Sequence, residues 1–86
     1  MANHASSKKR IRQTAKRTER NKLIRTRVRT HVKRVRAAIE AGDKAAAQKE
    51  LADAVRRIDM AVSKGIYHRR TGSRYISRLS TQVAAL

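Results

Sequence analysis

The sequence has no cysteine, proline, tryptophan or phenylalanine, and only three glycines and two tyrosines among its 86 residues. Without cysteine there is neither a disulfide framework nor a thiolate metal site. No apolar run approaches the roughly 20 residues that a membrane-spanning helix needs. Residues 1–5 lack the apolar segment of a secretory signal. We therefore expect a soluble, intracellular protein.

Acidic residues are also scarce, with six Asp and Glu against 23 Lys and Arg and a formal net charge of +17. This charge predicts a polyanionic partner, with nucleic acid ahead of an anionic membrane surface. The acids stand singly or at the spacing of salt bridges within a helix, and the three histidines are far apart. We find no catalytic constellation, metal site or phosphate-binding glycine loop, so we expect a protein that is not an enzyme and has no cofactor.

The positive charge is concentrated in residues 8–36, which hold 14 Lys and Arg, one acid (Glu19), and neither Gly nor Pro. This composition favours helix. Beyond the middle of the segment, Val28, Val32, Val35 and Ile39 follow at steps of four, three and four, which places them on one helical face. We predict a helix over about 7–41, N-capped by Ser6 or Ser7. The helix is about 50 Å long, which exceeds the width of a domain this small. We therefore expect residues 7–25 to project as a basic arm.

Cations occupy every face of this arm, and like charges three or four residues apart on a helix repel each other. Glu19 is the one acid among them. We therefore expect residues 7–25 to be largely unstructured in the free protein and helical when a polyanion is bound.

Two shorter helices are predicted over 43–63 and 70–85. Gly42 suits the left-handed position that ends a helix, and Asp43 suits the N-cap of the next one. The apolar ladders are Leu51, Val55, Ile58 and Val62, then Ile76, Leu79, Val83 and Leu86.

Three helices with matching ladders predict an all-α fold, a three-helix bundle with a long, projecting basic N-terminal helix, formed by residues 1–86 as one domain. We expect Gly65 to end the second helix in the same left-handed position that Gly42 takes after the first. Gly72 falls in line with the third ladder. It either allows close approach to the first helix or marks fraying.

The residue types narrow the kind of nucleic acid. Single-strand binders use aromatic platforms, and only Tyr67 and Tyr75 are present, either of which could contact RNA or lie at the edge of the core. Readers of the DNA major groove use a short helix-turn-helix, which a first helix of this length does not fit. The remaining possibility is that Arg and Lys side chains bind the phosphate backbone of a folded RNA.

At this point the sequence resembles a known family, the bacterial small-subunit (30S) ribosomal protein S20 family, over nearly its whole length. The matching positions are Ala2-Asn3, Ser6, Lys8-Lys9-Arg10, Arg29-Thr30, Lys33, Ala38 through Lys44, Asp59, Ala61, Lys64-Gly65, His68, Arg74 and Ser77-Arg78-Leu79. The sequence departs from the family at His4-Ala5, at Arg70, where a helix-capping Asn is usual, at Gly72-Ser73 and at Tyr75-Ile76.

The resemblance implies a helical bundle that binds 16S ribosomal RNA directly, at its 5′ domain and long penultimate helix, and stabilises RNA packing during assembly. It implies a cytoplasmic protein within the ribosome, near other small-subunit components, without membrane binding; we also expect no homo-oligomer. By match to the family, the expected RNA-binding residues are Lys8, Lys9, Arg10, Arg29, Lys33, Lys64, His68, Arg74 and Arg78. By charge alone they are Arg12, Lys16, Arg17, Arg20, Arg25 and Arg27.

Two alternatives come from other classes of protein. A histone-like, DNA-compacting protein would share the charge but not the matching segments. A membrane-active amphipathic peptide would need a broad apolar face, and residues 8–27 offer only Ile11, Ala15, Leu23 and Ile24.

Overall fold

The computed structural model describes residues 4–86, which form three helices: α1 (His4–Glu40), α2 (Lys44–Ser63) and α3 (Arg69–Ala84). The described residues contain no strand. This confirms the predicted all-α bundle with a long, projecting first helix. The segment Ala2-Asn3, which carries part of the family resemblance, lies outside the described residues.

The first helix starts earlier than predicted and ends where a glycine allows it to. It begins at His4, so Ser6 and Ser7 lie inside α1 and the predicted serine cap is wrong. No Gly or Pro lies near this point to stop the helix. At the other end Gly42 has a φ of +69°. The backbone N–H groups of Gly42 and Asp43 donate to the carbonyls of Ile39 and Ala38, a Schellman motif.

Side chains cap the two shorter helices. The Asp43 carboxylate accepts a hydrogen bond from the Ala46 backbone N–H at 3.1 Å, which confirms the predicted cap of α2. A second Schellman motif at Gly65, with Ile66 N–H donating to the Ala61 carbonyl, ends α2. The imidazole Nδ1 of His68 then accepts from the Arg70 backbone N–H and caps α3. A cap is therefore present although Arg70 itself is not an Asn.

The second helix is the central element, because it packs on both neighbours, whereas α1 and α3 touch each other only sparingly. Its buried residues are mainly alanines: Ala47, Ala54 and Ala61, spaced seven apart, together with Ile58. The ladder predicted for α2 had centred on larger side chains, but Leu51 is only partly buried. Small side chains at the helix contact let the backbones approach closely, so the alanines take the innermost positions.

The core is thin. Beside the residues of α2 it contains Val28 and Val35 from α1 and Leu79 and Val83 from α3. Among the larger side chains of the described residues, only Val35 and Ile58 are fully buried. Leu86, predicted as the last step of the α3 ladder, is 39% exposed because α3 ends at Ala84.

Gly72 lies where α3 packs tightly against α2. A Cβ atom at this position would lie 2.5 Å from Cγ2 of Val62 and 3.4 Å from Cγ2 of Ile58. The glycine is buried and hydrogen-bonded within its helix, with its N–H donating to the His68 carbonyl. Close packing is therefore the role of Gly72 rather than fraying, and its neighbour is the second helix, not the first.

The molecule is elongated, with principal extents of 60 × 21 × 14 Å and a radius of gyration of 17.4 Å. A compact domain of this length has a radius of gyration of about 12 Å. The difference comes from α1, whose 37 residues span about 55 Å. The bundle covers only the C-terminal half of α1, which leaves the other half outside it.

We predict that Gly72→Ala destabilises the fold. Alanine improves helix propensity by up to about 1 kcal/mol, but crowding a packed contact costs about 1–3 kcal/mol, and Val62 is stiff at χ1 in a helix. Urea denaturation followed by far-UV circular dichroism should show a net loss of about 1 kcal/mol.

The matched control is the same change in a Val62→Ala background, where the clashing methyl groups are absent. There Gly72→Ala should stabilise the protein, because only the gain in propensity remains. Stabilisation in both backgrounds would show that the close contact does not select glycine.

Candidate nucleic-acid interface

The first group of candidate residues lies on the projecting half of α1, and every residue from 5 to 20 is exposed. We call residues 7–25 the arm. It carries these predicted RNA-binding residues: Lys8, Lys9, Arg10, Arg12, Lys16, Arg17 and Arg20. Even the apolar Ile11 is 69% exposed. The arm therefore offers its whole circumference to a partner.

The cations of the arm point in all directions. Successive helical residues are about 100° apart at 3.6 residues per turn, so Lys8, Lys9 and Arg10 already cover more than half of the circumference. The other cations up to Arg20 fall within the same arc, and Lys22 and Arg25 lie on the remaining side. Glu19 is the one acid in this half of the helix. A straight duplex could contact only one side of such a rod, whereas several surrounding RNA segments could contact all of it.

The second group lies in a cleft between α1 and α3, which we call the α1–α3 cleft. Arg25, Arg29 and Lys33 lie one turn apart on α1, and Arg78 lies on α3. The cleft has a volume of about 530 Å³ and is lined in part by the apolar side chains Val28, Val32 and Leu79. No acidic side chain lines it. Four predicted residues from two helices thus come together at one cationic surface.

One cation of this cleft was not among the residues predicted from the sequence. Arg36 continues the row formed by Arg25, Arg29 and Lys33 and also lines the cleft. The spacing of four, four and three residues keeps all four on one face of α1, so this periodicity could have identified Arg36. Gln82 of α3 also lines the cleft, but no pattern in the sequence predicts this position.

The two tyrosines also line the α1–α3 cleft, and they differ in burial. Tyr67 is half-buried and packs against the hydrophobic core, whereas Tyr75 is 37% exposed. Their rings meet edge to face, with centroids 5.8 Å apart and an interplanar angle of 82°. Tyr67 therefore takes the core-edge role, and Tyr75 is the aromatic side chain that is available to a partner.

The remaining candidates lie apart from this cleft. Arg27 and Lys64 line a small indentation between α1 and α2, together with Arg57. Arg74 is exposed on α3. His68 is exposed as well, but its Nδ1 atom is already used to cap α3, so only Nε2 is free of that bond.

No group of three His, Asp or Glu side chains within residues 4–86 is placed to hold a metal ion. No helix in this part of the chain combines the length and apolar character that crossing a membrane requires. The described structure therefore offers cationic surfaces as its candidate site.

Comparison with known proteins agrees with this geometry. Residues 2–84 match the family model described as Ribosomal protein S20. The chain belongs to the ribosomal protein S20 family. Small ribosomal subunit protein bS20 of Geotalea uraniireducens is 54% identical over 86 residues, covering 100% of this chain and 99% of the relative. The proteins of the same name from Maricaulis maris and Nitrosomonas europaea are each 51% identical over 86 residues, covering all of this chain and 98% and 99% of their own lengths.

Membership of the S20 family confirms the resemblance seen in the sequence. It also confirms that the chain is not an enzyme, because its relatives are ribosomal proteins. The RNA-binding role of each individual residue stays a prediction.

We predict that the arm gains helix on binding RNA. Its residues are exposed and like charges repel along it, so little stabilises the helix until phosphates surround it. Far-UV circular dichroism of the free protein and of its complex with 16S ribosomal RNA should differ by the arm, about a fifth of the 86 residues. Equal helicity in both states would contradict this prediction.

A matched variant tests the cause. Gln13→Glu and Thr18→Glu each introduce a carboxylate four residues before a cation, Arg17 and Lys22, the favourable order for a helical ion pair. This double variant should raise the helicity of the free protein. Unchanged helicity would show that charge repulsion does not limit the helix content of the arm in the free protein.

Proposed function

We propose that this member of the S20 family is a structural protein of the small ribosomal subunit that binds 16S ribosomal RNA directly. It neutralises phosphates where RNA helices meet, so that segments which would otherwise repel can pack together during assembly. We propose the 5′ domain and the long penultimate helix of the RNA as its binding region, and the cytoplasm as its location. Other small-subunit components are then partners by proximity.

The observation that carries this proposal is the arm, a helix that is exposed throughout residues 7–20 and whose cations, with Lys22 and Arg25 included, surround it. A polyanion that surrounds it removes the repulsion between its charges, and each neutralised phosphate releases counterions. The thin core also supports this proposal. A bundle with two fully buried large side chains gains stability from a partner that covers its surface.

The proposed RNA-binding residues form one continuous set from the arm to the α1–α3 cleft. The set comprises Lys8, Lys9, Arg10, Arg12, Lys16, Arg17, Arg20, Arg25, Arg29, Lys33 and Arg78, to which we add Arg36. Arg27, Lys64, His68 and Arg74 extend it around the bundle. Arginine predominates, and its planar fork matches a phosphate with two hydrogen bonds.

We predict a steep salt dependence of binding to 16S ribosomal RNA. If about ten phosphates are neutralised, log K against log salt should have a slope near −9. The triple variant Arg12→Gln, Lys16→Gln, Arg20→Gln should make the slope shallower by about three, since each phosphate contact contributes about one. Filter binding at several salt concentrations measures this slope.

The matched control removes three positive charges from α2, with Lys44→Gln, Lys49→Gln and Arg56→Gln. These residues are exposed and lie on the near-neutral helix. The net charge is the same in both triple variants, and the control slope should stay within about one of the wild-type value. A wild-type slope of −2 or shallower, or equal effects of the two triple variants, would contradict the proposal.

The rival function is that of a histone-like protein that compacts DNA, which needs the same charge. Competition between folded 16S ribosomal RNA and duplex DNA at equal salt separates the two. We expect the RNA to win, because only a folded RNA can surround the arm. Indifference between the two polymers would favour the rival.

A further inference from the structure

The α1–α3 cleft differs from the arm in combining cations with aromatic and apolar surface. Phosphate binding alone explains Arg29, Lys33 and Arg78, but it leaves Tyr75 and the apolar lining without a role. Bases stack on aromatic side chains whatever their identity, because every base has a π-face. The cleft therefore has the chemistry for a whole nucleotide rather than for a phosphate alone.

The tyrosine pair keeps a ring face available for stacking. An edge-to-face contact takes up at most one face of either ring, so Tyr75 retains a second face. Tyr67 packs against the hydrophobic core and against the Tyr75 ring. The centroids of the two rings are 5.8 Å apart. This contact restricts the orientation of Tyr75 before anything binds, which lowers the entropy cost of binding.

The size and the charge of the cleft fit the same occupant. Its volume of about 530 Å³ lies within the range of roughly 300–1,000 Å³ of small-molecule pockets. The row from Arg25 to Arg36 runs about 16 Å along α1, long enough to contact the phosphates on either side of a bound nucleotide. Gln82, which also lines the cleft, can both donate to and accept from the edge of a base.

We propose that the α1–α3 cleft binds one unpaired nucleotide of the RNA, with its base stacked on Tyr75 and its flanking phosphates held by Arg29, Lys33 and Arg78. This inference rests on the proposed RNA-binding function and deepens it. It adds a base-stacking contact, and so a preference for an extruded nucleotide, to a surface otherwise expected to read only the RNA backbone.

The chain carries its own probe of this site. It has two tyrosines and no tryptophan, and both tyrosines line the α1–α3 cleft. The intrinsic tyrosine fluorescence of the protein therefore reports on this cleft alone. Two RNA hairpins are compared, identical except that one contains a single unpaired adenosine in its stem. We expect the hairpin with the unpaired nucleotide to bind more tightly and to quench the tyrosine fluorescence, and the fully paired hairpin to quench it little.

The test variant is Tyr75→Leu, which keeps an apolar side chain but removes the ring. It should lose about tenfold in affinity for the hairpin with the unpaired nucleotide and keep its affinity for the paired hairpin within about twofold, since phosphate contacts are unchanged. The control variant Tyr75→Phe retains the ring and should retain the preference. Far-UV circular dichroism of both variants should match the wild type.

The outcomes separate the inference from the function on which it rests. If wild type and Tyr75→Leu bind both hairpins equally well, the cleft does not bind a nucleotide, although the protein still binds RNA. If the wild type binds neither hairpin nor 16S ribosomal RNA, the proposed function itself fails. An oligo-glutamate peptide that quenches the tyrosines and displaces the hairpin more effectively than RNA does would overturn the inference in favour of an acidic protein partner.

Discussion

Repulsion between like charges along α1 is the constraint on which the rest of the structure depends. Fourteen Lys and Arg lie within residues 8–36, and Glu19 is the only acid of that segment. The C-terminal half of α1 tolerates this charge because Val28 and Val35 anchor it in the core. The arm has no such anchor before Ile24, so we predict that its helix depends on the anion that surrounds it. On this prediction, folding of the arm and binding are coupled.

The bundle holds the C-terminal half of α1 through a thin core. Alanines of α2 let α1 approach closely, and Gly72 does the same for α3 against α2. Because both neighbours pack mainly on α2, α1 and α3 remain apart on one side and leave the α1–α3 cleft open. The arrangement that gives a thin core thus also creates a second cationic surface, continuous with the arm.

Local signals in the sequence were enough to predict the fold and several of its boundaries. Gly42 and Asp43 marked the first turn correctly, because a left-handed glycine and a capping carboxylate act within a few residues. The start of α1 was missed since nothing in the sequence marks it. In the arm, Lys8, Lys9 and Arg10 were chosen by match to the family. The other candidate cations of the arm were chosen by charge alone. The cleft could not be predicted, because it depends on how far α1 and α3 stand apart, which neither helix encodes by itself.

The central claim is that folded ribosomal RNA occupies the space around the arm, and sedimentation of a cell lysate through a sucrose gradient tests it most directly. At low salt the protein should travel with the small ribosomal subunit. High salt or ribonuclease should release it to the top of the gradient, because the attachment is electrostatic and made to RNA. Protein that stays at the top at low salt, or that travels with DNA and withstands ribonuclease, would contradict the account.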